Sequence, residues 1–236
     1  MAAKAVTAEW PVCSTTARIV LTGGDLDEAW ALVRAQFAAV EQACRSELAA
    51  CSGRTTTVGP LLGDLVRTAL RAARDSNGHV DPTPVSGGWR RIRLDGRQLT
   101  VPKGVELDIS GTATAFAVDS CTRMVNDYLD VGVQVSLAGC AATEGPAPAG
   151  GWRVPLVDGS DITVDPGTAA ATATGNGNGF WHSVTVLAPS CVRASVLSGA
   201  ALARGWAAAS WLRGLGIPAR LAGPDGDVRM FGGWPR

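Results

Sequence analysis

The run LDISGTAT at 107–114 holds the chain's best arrangement for meeting an anion. Asp108 ends a segment that reads as a short strand, Ser110 and Gly111 are small enough to let another group approach the backbone, and Thr112 opens an apolar-periodic helix. The first N–H groups of a helix have no partner inside it and carry partial positive charge, so a phosphate-bearing ligand suits that position. The same spacing also serves an ordinary helix start with Asp119 on a solvated face, and spacing alone does not separate the two. In Asp81-Pro82-Thr83-Pro84 the Asp and Thr side chains cap or hydrogen-bond local backbone, which makes a turn the plainer reading. The loop GNGNG at 175–179 looks like a phosphate loop, but a strand pattern follows it where a dinucleotide fingerprint needs a helix. A flexible turn and an anion-binding nest of backbone are both open to it. Beside it, Trp181 and His182 would make a stacking surface for a flat ring, although Trp in a core is the commoner use.

Scarcity narrows the chemistry. The chain has two histidines, His79 and His182, two lysines, Lys4 and Lys103, and one tyrosine. A lysine nucleophile or a Ser-His-Asp relay would have to be assembled from almost nothing. The six cysteines include no C-x-x-C pair, so buried free thiols are expected rather than a zinc cluster or a disulfide framework.

Composition bounds the rest. The 236 residues carry 21 Lys+Arg against 21 Asp+Glu, with no basic run, which leaves no electrostatic footprint for nucleic acid or an anionic membrane. Arg, Gly or Pro breaks every apolar stretch well short of the roughly 18 to 20 residues a membrane span needs. The opening MAAKAVTAEWPVCSTTARIV has one lysine and no apolar core of the kind a secretory leader requires, so a cytoplasmic protein is expected. No residue pattern specifies an oligomer; a homodimer is compatible with the composition.

These candidate groups must be held by elements that the pattern partly reveals. ARIVL (17–21) alternates as a strand, and Asp25 with Glu28 three residues on reads as a capping box. Leu26, Trp30, Val33, Phe37, Val40 and Cys44 then line one face of a helix of about five turns. A second helix starts at Pro60 and stops at Asn77-Gly78, and a hairpin turns at Asp95-Gly96. A third helix runs from Thr112 with Ala113, Phe116, Ala117, Cys121, Met124 and Tyr128 on one side. Strands follow at QVSLAG, WRVPLV, DITV and SVTVLAP, then a fourth helix around 195–213, then ARLAG, a PDGD turn and VRMF. The irregular mixture predicts an α+β class and one domain over 1–236.

In chain order, CSTTARIVL (13–21), RSELAA (45–50), HVDPT (79–83), LDISGTATAFAVD (107–119), VSLAGCAATEG (135–145) with GGWRV (150–154), TATGNG (172–177), and GIPARL (216–221) with GGWP (232–235) resemble the motifs of the ApbE-type FAD:protein FMN transferases. The resemblance implies a single-domain, T-fold-like α+β architecture with mixed or antiparallel sheets and about four main helices, and FAD bound in a cleft. In active members it implies Mg²⁺, which helps break the pyrophosphate and pass FMN to a Thr or Ser of a target protein. It places ligand-facing or site-supporting roles on Thr15, Ser46, Glu47, Asp81, Thr83, Asp108, Ser110, Gly111, Thr112, Thr114, Asp119, Thr174, Trp181 and His182. Asp81 and Glu47 would accept hydrogen bonds from ribose or adenine, the turn from Ser110 to Thr114 would meet the pyrophosphate, and Trp181 would cover a ring.

The departures from that pattern concern the reaction. The metal motif falls on 194–200, so its Asp is Ser195 and its Thr is Gly199; its lysine falls on Thr114, its Gly-Gly-Asp acid on Cys140, and its histidine loop is reduced to FWHS with His182 as the remnant. A hard cation wants oxygen ligands with carboxylate charge among them. The expectation is an FAD-binding protein that holds, stores or sequesters FAD without transferring FMN. The alternatives are an active Mg²⁺-dependent FMN transferase or FAD pyrophosphatase, and a scaffold that binds no flavin.

Overall fold

The computed structural model describes residues 5–12, 15–85, 87–175 and 179–235. Cys13, and residues 176–178 of the Gly-rich loop, lie outside the described residues. The strands are β1 (Val6–Val12), β2 (Thr15–Leu21), β3 (Thr55–Thr57), β4 (Arg93–Asp95), β5 (Gln98–Thr100), β6 (Val133–Leu137), β7 (Cys140–Glu144), β8 (Trp152–Pro155), β9 (Asp161–Val164), β10 (Ala169–Thr174), β11 (Ser183–Ala188), β12 (Ala219–Ala222) and β13 (Val228–Phe231). The helices are α1 (Leu26–Gln42), α2 (Pro60–Asp75), α3 (Ser110–Leu129), α4 (Cys191–Arg204) and the short α5 (Ala208–Gly214).

Eight strands form one sheet in the order β1-β2-β6-β7-β10-β11-β12-β13, with every pairing antiparallel. Strand alternation sorts its side chains onto two faces. Ile19, Leu21, Val133, Val135 and Ala171 face the helices, where Val33, Phe37, Cys121 and Val125 complete the main core. Val20, Ala141, Ala170 and Leu187 face the other way and are covered by the β8–β9 hairpin through Trp152, Val154 and Ile162. A small sheet, β3-β5-β4, flanks the helical layer.

Helix ends follow their local chemistry. Asp25 caps α1, accepting from the Asp27 and Glu28 N–H groups. At the start of α2, Gly59 has no capping side chain of its own, and its N–H donates to the Glu47 carboxylate. A Cβ at Gly59 would sit 3.0 Å from Glu47 Oε1, so the missing side chain is what admits the carboxylate. Asn77 and Gly78 end the helix with φ of 56° and 81°.

The structure corrects four expectations. LDISG is not a strand: Asp108 N–H donates to Pro82 O, a loop carbonyl, so no ladder can extend from it. Helix α3 begins two residues earlier, at Ser110, and of its proposed apolar side Ala113, Ala117 and Cys121 are buried whereas Tyr128 is 63% exposed. Packed between α1 and α4 and against β6 and β7, α3 is buried on several sides through Ala115, Val118, Cys121 and Thr122. The fourth helix starts at Cys191 rather than near 195 and breaks at Gly205, whose φ is 56° and whose carbonyl accepts the Trp181 indole N–H. Strands β1, β3, β7 and β10 had no pattern in the sequence strong enough to reveal them.

Candidate functional site

Three segments converge at the start of α3. Asp108 Oδ1 accepts the Ser110 N–H at 2.9 Å, while Asp108 N–H donates to Pro82 O at 2.7 Å, which ties the 81–83 loop to the helix start. Within that loop Asp81 Oδ1 accepts both the N–H and the hydroxyl of Thr83, each at 2.7 Å. From α4, Ser195 Oγ donates to Gly111 O at 3.4 Å. Ile109 O accepts the N–H groups of Thr112 and Ala113. Among the described residues the Gly111 N–H has no acceptor, and a Cβ built at Gly111 would meet nothing within 4 Å. The front of this helix start is therefore open and carries the partial positive charge of the first turn.

From this opening a groove of about 880 Å³ runs between α1 and the β1 edge of the sheet. Ser110 and Thr114 stand at one end. Its apolar wall is aromatic: Trp10 and Trp30 meet edge to face with centroids 4.0 Å apart, and Phe37 lies 6.2 Å from Trp10. The Arg34 guanidinium sits 5.5 Å from the Trp30 ring centroid and adds a cation beside the wall. Cys44 also lines the groove; burial pushes its thiol pKa up, and the negative charge of Asp108 adds to the shift, so the thiol stays protonated.

The residues named from sequence divide into three sets. Ser110, Gly111, Thr114, Asp108, Asp81 and Thr83 belong to the opening, with Thr83 fully buried as a loop-holding residue rather than an exposed contact. Thr112 is buried beneath them, its hydroxyl donating to Ile109 O. Thr15 pairs with Val12, which lines the groove. Ser46 is exposed on the turn after α1, and Glu47 next to it is committed to Gly59.

The second set lies elsewhere. Thr174 and His182 are exposed at neighbouring ends of β10 and β11, where Gly175 N–H donates to His182 O at 2.8 Å. No described contact joins them to the start of α3.

The third set serves the fold. Trp181 is only 2% exposed, with its N–H on Gly205 O at 2.7 Å and Arg229 over its ring, so it offers no stacking surface. Asp119 caps α4 instead of facing the groove: its two oxygens accept the Cys191 and Val192 N–H groups at 2.7 and 3.0 Å. Burial raises the Asp119 pKa, and those two backbone bonds oppose the rise. The aromatic wall itself went unrecognised. Its signal was present in Trp30 with Arg34 one helical turn later, but the sequence placed Trp30 only on the core-facing stripe.

The donor set does not fit a magnesium ion. Ser195 and Gly199 supply one hydroxyl and no carboxylate, and the Ser195 hydroxyl donates to the Gly111 carbonyl. Gly199 brings no side chain, and the nearest group to a Cβ there would be Val80 Cγ2 at 3.4 Å. Among the described residues no three His, Cys, Asp or Glu side chains stand close enough together to hold a metal ion.

No protein-family profile matches the sequence, and no curated protein matches it. Solved structures do match. The apo flavinyl transferase ApbE of Pseudomonas stutzeri superposes with a TM-score of 0.84 at 18% identity, covering 98% of this chain and 96% of that one. The flavin transferase ApbE of Vibrio cholerae gives 0.81 at 18%, covering 97% and 96%. The ApbE protein of Thermotoga maritima gives 0.83 at 15%, covering 97% of each chain. At these identities the likeness establishes the fold: this is the single-domain α+β architecture of the ApbE flavin transferases, end to end.

Proposed function

We propose that the chain binds FAD at the start of α3 and does not transfer FMN. The flavin ring lies along the Trp10, Trp30 and Phe37 wall, taking over the role that Trp181, buried in the core, cannot fill. The pyrophosphate meets the open Gly111 N–H and the Ser110 and Thr114 hydroxyls, where helix polarity favours it. Asp81 and Glu47 act mainly by holding the 81–83 loop and the start of α2, each with its second carboxylate oxygen free for a ribose or adenine donor. A groove of this size and apolar character suits a ligand held by stacking and hydrogen bonds without a metal.

The reading of lost transfer rests on the donor set: where the resemblance puts two metal ligands, this chain offers the Ser195 hydroxyl, no carboxylate and no side chain at Gly199. Without a cation, charge building on the leaving phosphate has no partner worth the several kcal/mol that such ions supply.

The deciding experiment incubates the purified protein with FAD, Mg²⁺ and a Thr- or Ser-containing target peptide. The expected result is quenched FAD fluorescence and raised anisotropy with no AMP released and no flavin on the peptide. AMP release or a flavinylated peptide would make it a transferase or pyrophosphatase; unchanged FAD fluorescence and anisotropy would make it a scaffold.

A further inference from the structure

A second cleft, of about 930 Å³, opens at the other end of the helical layer and shares no lining residue with the aromatic groove. Three successive helices each contribute a guanidinium to it: Arg71 from α2, Arg123 from α3 and Arg193 from α4. None of the three forms an ion pair among the described residues, and Arg123 uses only its Nε, on the Asp119 backbone carbonyl.

Three carboxylates share the cleft. Asp119 accepts the first N–H groups of α4, Asp75 and Glu144 stand beside it, and the lining carries three positive and three negative charges. From the charged end the wall becomes apolar along α4 and into α5, through Val196, Leu197, Trp211, Leu215 and Ile217. Leu215 is 47% exposed although it faces this concavity.

We propose that this cleft is a second binding site, for a monoanionic carboxylate that carries an apolar chain. Guanidinium groups pair with carboxylates in two-pronged hydrogen bonds, and the volume lies in the range of small-ligand sites. Asp75 and Glu144 set the charge selection, because they repel a head that carries a second negative charge. The apolar wall takes the chain, whose burial removes apolar surface from water.

The test is calorimetric titration of the full chain with sodium decanoate below its micelle concentration, with decanol and decyl phosphate in parallel. Decanoate is expected to saturate at one site and to bind at least tenfold more tightly than either. Arg193→Gln and Arg123→Gln, both exposed and checked by melting, each weaken it about tenfold, whereas Trp30→Ala in the aromatic groove leaves it unchanged. No saturable binding, decanol equal to decanoate, decyl phosphate as tight or tighter, indifference to both arginine changes, or loss with Trp30→Ala would each overturn the proposal.

Discussion

Helices α3 and α4 start within reach of each other, yet one start is open and the other is sealed. At α4, Ser190 Oγ accepts the Arg193 N–H and Asp119 accepts those of Cys191 and Val192, so the first turn has no donor to spare for a ligand. At α3, Asp108 satisfies Ser110 alone, and the Gly111 N–H has no acceptor among the described residues. The start of α3 is built of small residues, whereas α4 opens with Cys191, Val192 and Arg193. What leaves a start open or sealed is whether a side chain from elsewhere in the fold has already taken the donors.

The comparison can be broken most forcefully at the sealed end. Asp119→Ala strands two N–H groups in a buried place and is expected to destabilise the fold by about 2 to 3 kcal/mol in urea melts. A loss under about 0.5 kcal/mol would mean that the seal is not there. Its protonation supplies a further reading. Asp119 in the folded chain keeps its proton above the pH at which the unfolded chain, with the ordinary carboxylate value of 3.8, releases it. In that window the folded state binds more protons. The group's contribution is therefore full below about 3.8 and lost as pH rises through the raised folded value. Asp119→Asn should flatten that slope in melts taken across the acid range.

At the open end the effects shift from stability to binding. Trp30→Ala is expected to weaken FAD about tenfold, or about 1.4 kcal/mol, by anisotropy titration, while its half-buried position keeps the fold intact. An unchanged Kd would move the ring out of this groove. Asp108→Ala removes one turn bond at an exposed site and should cost about 0.5 to 1 kcal/mol in stability, leaving the 81–83 loop less firmly tied to α3. The sharpest probe of the metal argument is a gain rather than a loss. Ser195→Asp combined with Gly199→Thr and Val80→Ala restores ligand types and room together. With FAD present, Mg²⁺ should raise the melting temperature of that variant by a few degrees and leave the parent unchanged; a Mg²⁺ shift in the parent would defeat the reading.

Legibility in the sequence followed the range of the interaction. The Asp25 cap, the Pro60 start and the Asn77-Gly78 stop were readable because each acts within one turn of chain. The β10 strand, AAATAT, was not: alanine carries little strand signal, and this segment is extended because β7 and β11 pair with it and α4 packs on its small side chains. The same limit misplaced the aromatic surface. Trp181 stands beside a Gly-rich loop and looked available, whereas Trp10 and Trp30 come from distant segments whose rings meet only after β1 pairs with β2 and α1 docks.

From its sequence alone this protein's fold class, the capped ends of its first two helices and the hairpin at Asp95-Gly96 were determined, because periodicity and capping are local. Only the tertiary structure decided which helix start keeps an unpaired N–H, which tryptophans line a groove, and that Ser195 reaches the Gly111 carbonyl. Each of those depends on a partner far along the chain, such as the Asp119 carboxylate that reaches Cys191 across 72 residues, and no local pattern encodes such a meeting.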